Sequence, residues 1–289
     1  MSGTAPAHPP PPAGEGGEGE ATSTEQAASP SPTLQPKSDL SDFGPLSIPK
    51  SGKPDFGRKR GRGRDRSAIV AFTASLFILS FSAHAAERPA SFVDAAAVVP
   101  GLVVEMRYAG AHNFVGKPVD GYLRPVCLLT REAAQALAQV ERDLAQRGLG
   151  LKVFDCYRPV RAVMHFVRWA RDVRDLATKA EFYPAVDKRD LFRLGYIAAQ
   201  SGHSRGATID LGLVTLADGR ERDMGTPFDT FSPRSWPSDT SVGAEARQNR
   251  ALLAAAMRRH GFRPYDREWW HFTLRGEPFP TTYFDFPVQ

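Results

Sequence analysis

"SGHSRGATIDLGL" (residues 201–213) holds His203 and Asp210, and "EWWHF" further on holds Glu268 and His271. Two imidazoles and one carboxylate form a three-ligand set that suits Zn²⁺ and leaves a fourth position open for water. An open position is what a catalytic zinc requires, whereas a structural zinc is usually closed by four protein ligands. The chain has no cysteine cluster and no HExxH motif. Taken singly, each residue has a plainer reading. A histidine in a strand is usually a satisfied polar group, and an aspartate before "LGL" can cap a turn. Taken together they are harder to dismiss. Asp210 interrupts an apolar run and His271 sits between Trp270 and Phe272. Burying either group there is costly unless something pairs with it.

Glu268 shares a segment with His271, so the element that presents the ligand can also bring a carboxylate to the attacking water. A carboxylate there takes the water's proton and later returns it to a leaving amine. A surface carboxylate beside Arg267 is the alternative. Negative charge developing on the scissile carbonyl needs a fixed donor. Arg158 in "DCYRP" lies at an expected strand end and is pinned by Pro159; a simple ion pair with Asp155 is the alternative.

These residues need a frame. Residues 130–148 predict a helix, with Thr130 as N-cap, apolar residues at helical spacing and Gly148 as terminator. "LGLKVFDCYRP" predicts a strand stopped by Pro159. "VRAVMHFVRWARDVRDLA" and "KRDLFRLGYIAAQ" each predict a helix. "ATIDLGLVTLADGRERDMG" predicts a strand, a turn at Asp218-Gly219 and a returning edge. Residues 244–261 predict a helix and "EWWHFTLRG" a strand. "SFVDAAAVVPGLVVEMRYAG" has short β-type runs broken by Pro-Gly, and "NFVGKPVDGY" (113–122) is loop chemistry. Interleaved helices and strands give an α+β fold with a mixed or antiparallel sheet.

The N-terminal third has a different character. Residues 1–56 are rich in Pro, Gly, Ser and Glu and poor in large apolar side chains, so they predict a disordered leader or an over-extended start. In 57–85, the basic "GRKRGRGRDR" precedes the apolar "SAIVAFTASLFILSFS" and the Ala83-His84-Ala85 cleavage pattern, which predicts a secretory signal. The apolar run is shorter than the ~20 residues of a spanning helix. The expected product is a periplasmic domain of residues 86–289 without stable membrane insertion; an uncleaved anchor is the alternative. The chain has 2 cysteines, Cys127 and Cys156, and an even count in an exported chain favours a disulfide. The formal charge of +5 is modest, and no basic stripe on the expected domain suggests a nucleic-acid partner.

"SGHSRGATIDL", "EWWHF", "DCYRP" and "NFVGKPVDGY" together resemble the VanX-type zinc D-alanyl-D-alanine dipeptidases, over roughly residues 90–285. The resemblance implies one domain of the D-Ala-D-Ala peptidase and hedgehog type, its central, mostly antiparallel sheet flanked by helices and carrying the zinc site. It implies one Zn²⁺ on His203, Asp210 and His271, Glu268 as general base and Arg158 as stabiliser of the oxyanion. It further implies that Tyr108, Asp155, Ser201 and Asp229 line a dipeptide pocket, with Asp229 receiving the substrate's free amine. Cys156 stands where a small residue is common in the cytoplasmic resistance enzymes, and those enzymes lack an export signal. That departure suggests a periplasmic relative that recycles wall-derived D-Ala-D-Ala. A D,D-carboxypeptidase acting on peptidoglycan peptides, a non-catalytic zinc-binding domain and a general zinc endopeptidase stand as alternatives. Oligomeric state is not legible.

Overall fold

Alternating side chains along three neighbouring strands carry the architecture. In the computed structural model, residues 87–289 are described. The expectations for 1–56 and 57–85 lie outside the described residues. The elements are β1 (Phe92–Asp94), α1 (Ala95–Val98), β2 (Val103–Val104), β3 (Leu128–Thr130), α2 (Arg131–Ala145), β4 (Leu149–Asp155), α3 (Val160–Arg171), α4 (Lys179–Phe182), β5 (Thr208–Thr215), α5 (Ala244–Arg259), β6 (Phe262–Tyr265) and β7 (Glu268–Leu274). Five strands form the main sheet in the order β2-β4-β5-β7-β6, with β2 parallel to β4 and the other pairs antiparallel. β1 and β3 form a small antiparallel pair. The fold is thus α+β, with a central, mostly antiparallel sheet flanked by helices in one domain.

Side chains alternate across a strand, so each face of the sheet has its own set. Leu151, Val153, Leu211 and Leu213 share one face, all at 0–1% exposure. Against the sheet, α2 packs on β4 and α5 on β5 and β6. The Thr130 side chain accepts from Ala133 N at 3.4 Å, so α2 starts at the expected cap. Asp210 and Gly212 point to the opposite face, where Phe154 stacks on Phe228. That face is covered by the 105–122 loop, α3 and the 223–236 loop. Arg250 of α5 ties the last of these down: it donates to the carbonyls of Met224, Arg234 and Trp236 at 2.7, 2.9 and 2.9 Å.

Three expected elements differ. The helix foreseen over "KRDLFRLGYIAAQ" is a single 3₁₀ turn, Lys188–Asp190, followed by turns. Gly195 at φ +80° reverses the chain, and Tyr196 N and Ile197 N donate to Leu191 O, five and six residues back, where a continuing α-helix would pair each with the residue four back. The helix beginning at "VRAV" stops at Arg171, well before Ala177. The returning edge after Asp218-Gly219 shrinks to one bridge, Val214 to Glu221.

Candidate metal and active site

The register of β4, β5 and β7 assembles the site. Asp155 pairs with Asp210, and Asp210 pairs with His271, so three polar residues stand in a row across the sheet. An irregularity in the β6–β7 pairing brings in Glu268. Between the pairs Pro264–Phe272 and Tyr265–Glu268, β7 takes four residue steps where β6 takes one. This bulge breaks the alternation and turns Glu268 toward His271, with its carboxylate 3.4 Å from His271 Nδ1.

His203 arrives from the 3₁₀ turn Gly202–Arg205, capped by Ser201 Oγ, which accepts from His203 N. The turn ends at Gly206 in the left-handed region, φ +81°, where a Cβ would lie 2.2 Å from the Phe92 ring; only glycine fits. His203 Nδ1 lies 2.7 Å from the Cys156 carbonyl, which cannot donate, so Nδ1 carries the proton and Nε2 presents a lone pair. Nε2 lies 3.3 Å from Asp210 and 3.3 Å from His271 Nδ1. The three groups offer ligand atoms within 4.8 Å of one another. Asp210 Oδ1 is buried 3.0 Å from His271 Nδ1 yet lacks an aligned hydrogen bond. An orphaned carboxylate oxygen among imidazole lone pairs is the donor set a divalent cation would complete, and these residues fit one.

The local charges are strongly perturbed. Burial alone would raise the Asp210 carboxyl, but His203 and His271 hold it far below the usual carboxylate range. His271 is raised although burial opposes this, because Asp210 faces it. Burial pushes Glu268 up to about 7, with Asp210 adding to the rise and His271 opposing it. Arg158 Nε donates to Asp155 Oδ2 at 2.8 Å and its Nη2 lies 2.8 Å from the same oxygen, and its guanidinium lies 5.1 Å from the Tyr108 ring centroid and 5.0 Å from that of Phe166. Burial would lower the Arg158 guanidinium, but Asp155 keeps it well above its ordinary value. Its peptide N–H bonds to His203 O, which ties it to the ligand turn.

A cavity of about 200 Å³ opens on this group. His203, Asp210, His271, Glu268, Arg158, Tyr108, Ser201 and Asp229 all line it. Asp155 does not. It sits one layer behind, fully buried, holding Arg158 and accepting from Tyr122 OH at 2.5 Å. The pocket role expected of Asp155 is therefore corrected to that of a positioning carboxylate. Asp229 is buried at φ +61°, unusual for a residue with a side chain, and accepts from Tyr108 OH at 2.9 Å. Burial and the nearby Asp210 push its carboxyl well above the ordinary range. Phe166, Tyr196, Phe231 and Tyr265 add aromatic surface to the wall. None of these four stood out in the sequence, because an aromatic lining a cavity and one filling a core have the same spacing. Cys127 and Cys156 are joined in a disulfide, with Cα atoms 5.3 Å apart.

A His/Asp/His cluster on the sheet and its neighbouring turn, beside a perturbed glutamate in a small cavity, defines the class: a metallopeptidase. Residues 88–289 match the M15 peptidase family model described as D-Ala-D-Ala dipeptidase, and the chain belongs to that family. It is 41% identical over 192 residues to a D-alanyl-D-alanine dipeptidase of Enterococcus faecium, covering 66% of this chain and 95% of the relative. A protein of the same name from Streptomyces coelicolor is 43% identical, covering 68% and 97%. One from Escherichia coli is 36% identical, covering 63% and 83%.

Proposed function

We propose that this chain hydrolyses free D-Ala-D-Ala to two D-Ala, using one Zn²⁺ held by His203, Asp210 and His271. The names of its relatives support the substrate. The observation that carries the reading is a cavity of about 200 Å³ that holds both the ligand cluster and the buried carboxyl of Asp229. Pockets for drug-sized ligands run to roughly 300–1,000 Å³, so this one suits a very small substrate. When bound, Zn²⁺ would supply Lewis-acid activation of the attacking water and the scissile carbonyl.

The remaining work falls to side chains. Glu268 takes a proton from the water as oxygen attacks the peptide carbon. Burial raises its pKa, which makes it a stronger base for that proton than an exposed carboxylate. Arg158 faces the cavity and stabilises the charge that develops on the carbonyl oxygen; Asp155 keeps its guanidinium aimed. Glu268 then returns the proton to the amide nitrogen, the C–N bond breaks, and the amine leaves as the second D-Ala. Asp229, held by Tyr108, pairs the substrate's ammonium, whose positive charge favours the ionised carboxylate that burial otherwise disfavours.

A D,D-carboxypeptidase has no need of an amine-binding carboxylate, and Asp229 weighs against it. The test compares free D-Ala-D-Ala with its N-acetyl form, which brings no charge to Asp229. Losing a buried charge-assisted pair costs roughly 2–5 kcal/mol, so the free dipeptide is preferred by about 30- to several-thousand-fold in kcat/KM. Asp229→Asn tolerates the left-handed backbone while removing the charge, and it narrows the gap by weakening the free dipeptide. Equal or better cleavage of the N-acetyl form by the unaltered protein overturns the dipeptidase reading in favour of the carboxypeptidase.

We further propose that the chain is exported to the periplasm and acts there on wall-derived dipeptide. The signal pattern in 57–85 and the Cys127–Cys156 disulfide support this.

A further inference from the structure

Gly195–Ala198, Gln200 and Ser201 form one wall of the cavity, and residues 191–201 belong to no helix or strand until the turn that begins at Gly202. What fixes their position is therefore a question of individual contacts. At the base, Leu191 is fully buried and its carbonyl accepts from Tyr196 N at 2.9 Å and Ile197 N at 3.2 Å. Tyr196 stacks on Phe231, with centroids 5.1 Å apart. Beyond that, residues 198–200 are exposed, and among the described residues none of their backbone N–H groups bonds to another backbone group. Ala198, Gln200 and Ser201 nevertheless line the cavity.

One side chain reaches this wall from across the site. Arg267 lies in the turn between β6 and β7, next to Glu268. Its Nη1 donates to Leu194 O at 2.9 Å, and its guanidinium lies 5.9 Å from the centroid of the Trp236 ring. The contact is close-fitted: a Cβ on Gly195, at φ +80°, would lie 3.0 Å from Arg267 Nη1. The turn that leads into Glu268 thus also holds the facing wall, through a single charge-assisted hydrogen bond to a backbone carbonyl.

We propose that Arg267 is a specificity-determining residue: its bond to Leu194 holds the 195–201 wall inward and so limits the substrate to an unextended dipeptide. The inference rests on the dipeptidase reading. Asp229 rewards a free amine, whereas Arg267 denies space to anything attached to that amine. Without the bond, the hydrogen bonds left to Leu194 N and Gly195 N run within the segment itself, to Asp190 O at 2.8 Å and Phe192 O at 3.1 Å, so the segment loses its tie to the β6–β7 turn and shifts outward together with the unbonded stretch 198–200.

Arg267→Ala and Gly195→Ala test this, with zinc content measured on each. Gly195→Ala attacks the same contact from the other side and carries the test should Arg267→Ala fail to give soluble protein. The readout is the ratio of kcat/KM for N-acetyl-D-Ala-D-Ala to that for free D-Ala-D-Ala, which a general loss of stability does not shift. The expected result is a rise in that ratio of about 10- to 200-fold, the range a reshaped pocket contact provides. If the unaltered protein cleaves both substrates equally, the dipeptidase reading itself fails. If it discriminates and the variants discriminate within about twofold of it, the role assigned to Arg267 is wrong.

Discussion

Glu268 and His271 stand three residues apart in the chain, with carboxylate and Nδ1 at 3.4 Å, yet they have separable duties. His271→Ala removes one of three metal ligands, so bound zinc and turnover fall together; elemental analysis that still finds one zinc in an active variant contradicts the ligand set. Glu268→Gln keeps the shape and the metal but cannot take a proton. General-base catalysis is worth about 10²–10⁴-fold, and kcat falls by at least that range while zinc content stays at one. A near-normal kcat removes Glu268 from the role of general base. His271 and Asp210 were legible in the sequence for one physical reason: an imidazole between Trp270 and Phe272, and a carboxylate inside an apolar run, are expensive to bury without partners. Glu268 was legible only through the segment it shares with His271. Depth was not legible. Asp155 and Arg158 are three residues apart, yet one lies behind the cavity wall and the other on it.

At the scale of elements, strand pairing is what turns distant residues into neighbours. The Asp155–Asp210–His271 row follows from register, and Glu268 joins only because β7 bulges. The strands themselves were readable from apolar runs, but the bulge was not, since nothing in "DREWWHF" marks the extra steps. The segment after Lys188 misled for a related reason. Its apolar spacing is helical, and the reversal at Gly195 shows only in backbone angles. The disulfide links two such elements. Cys156 supplies the carbonyl that fixes the His203 tautomer, and Cys127 precedes β3. Opening the bond in Cys127→Ser/Cys156→Ser frees a chain separation of 29 residues, a loss of about 3–4 kcal/mol in the loop-entropy account. The same variant weakens zinc binding by about 10- to 100-fold, because a partner of a metal ligand is no longer held. Thermal unfolding and competition with a chelator read the two effects separately; unchanged zinc affinity would detach the disulfide from the site.

At the scale of the whole molecule, the residues from 87 onward carry the family match, the sheet and the site. Among the described residues, no helix is long and apolar enough to cross a membrane. The export proposal concerns the preceding segment. Expressed with that segment in a bacterium that exports it, the chain is expected to yield a product beginning near Ala86, its two cysteines resistant to alkylation without reductant. An unprocessed product with both thiols alkylated contradicts export.

The central claim is that three side chains of the sheet and its neighbouring turn assemble a metal-dependent dipeptidase. Hydrolysis of free D-Ala-D-Ala by purified residues 86–289 tests it most directly, measured as prepared, after stripping by a chelator, and after one equivalent of Zn²⁺ is returned. The account predicts release of two D-Ala per dipeptide, loss of activity on stripping, and recovery at a stoichiometry of one zinc per chain. Turnover that persists in the fully stripped protein, or no turnover of the dipeptide in the zinc-loaded protein, would contradict it.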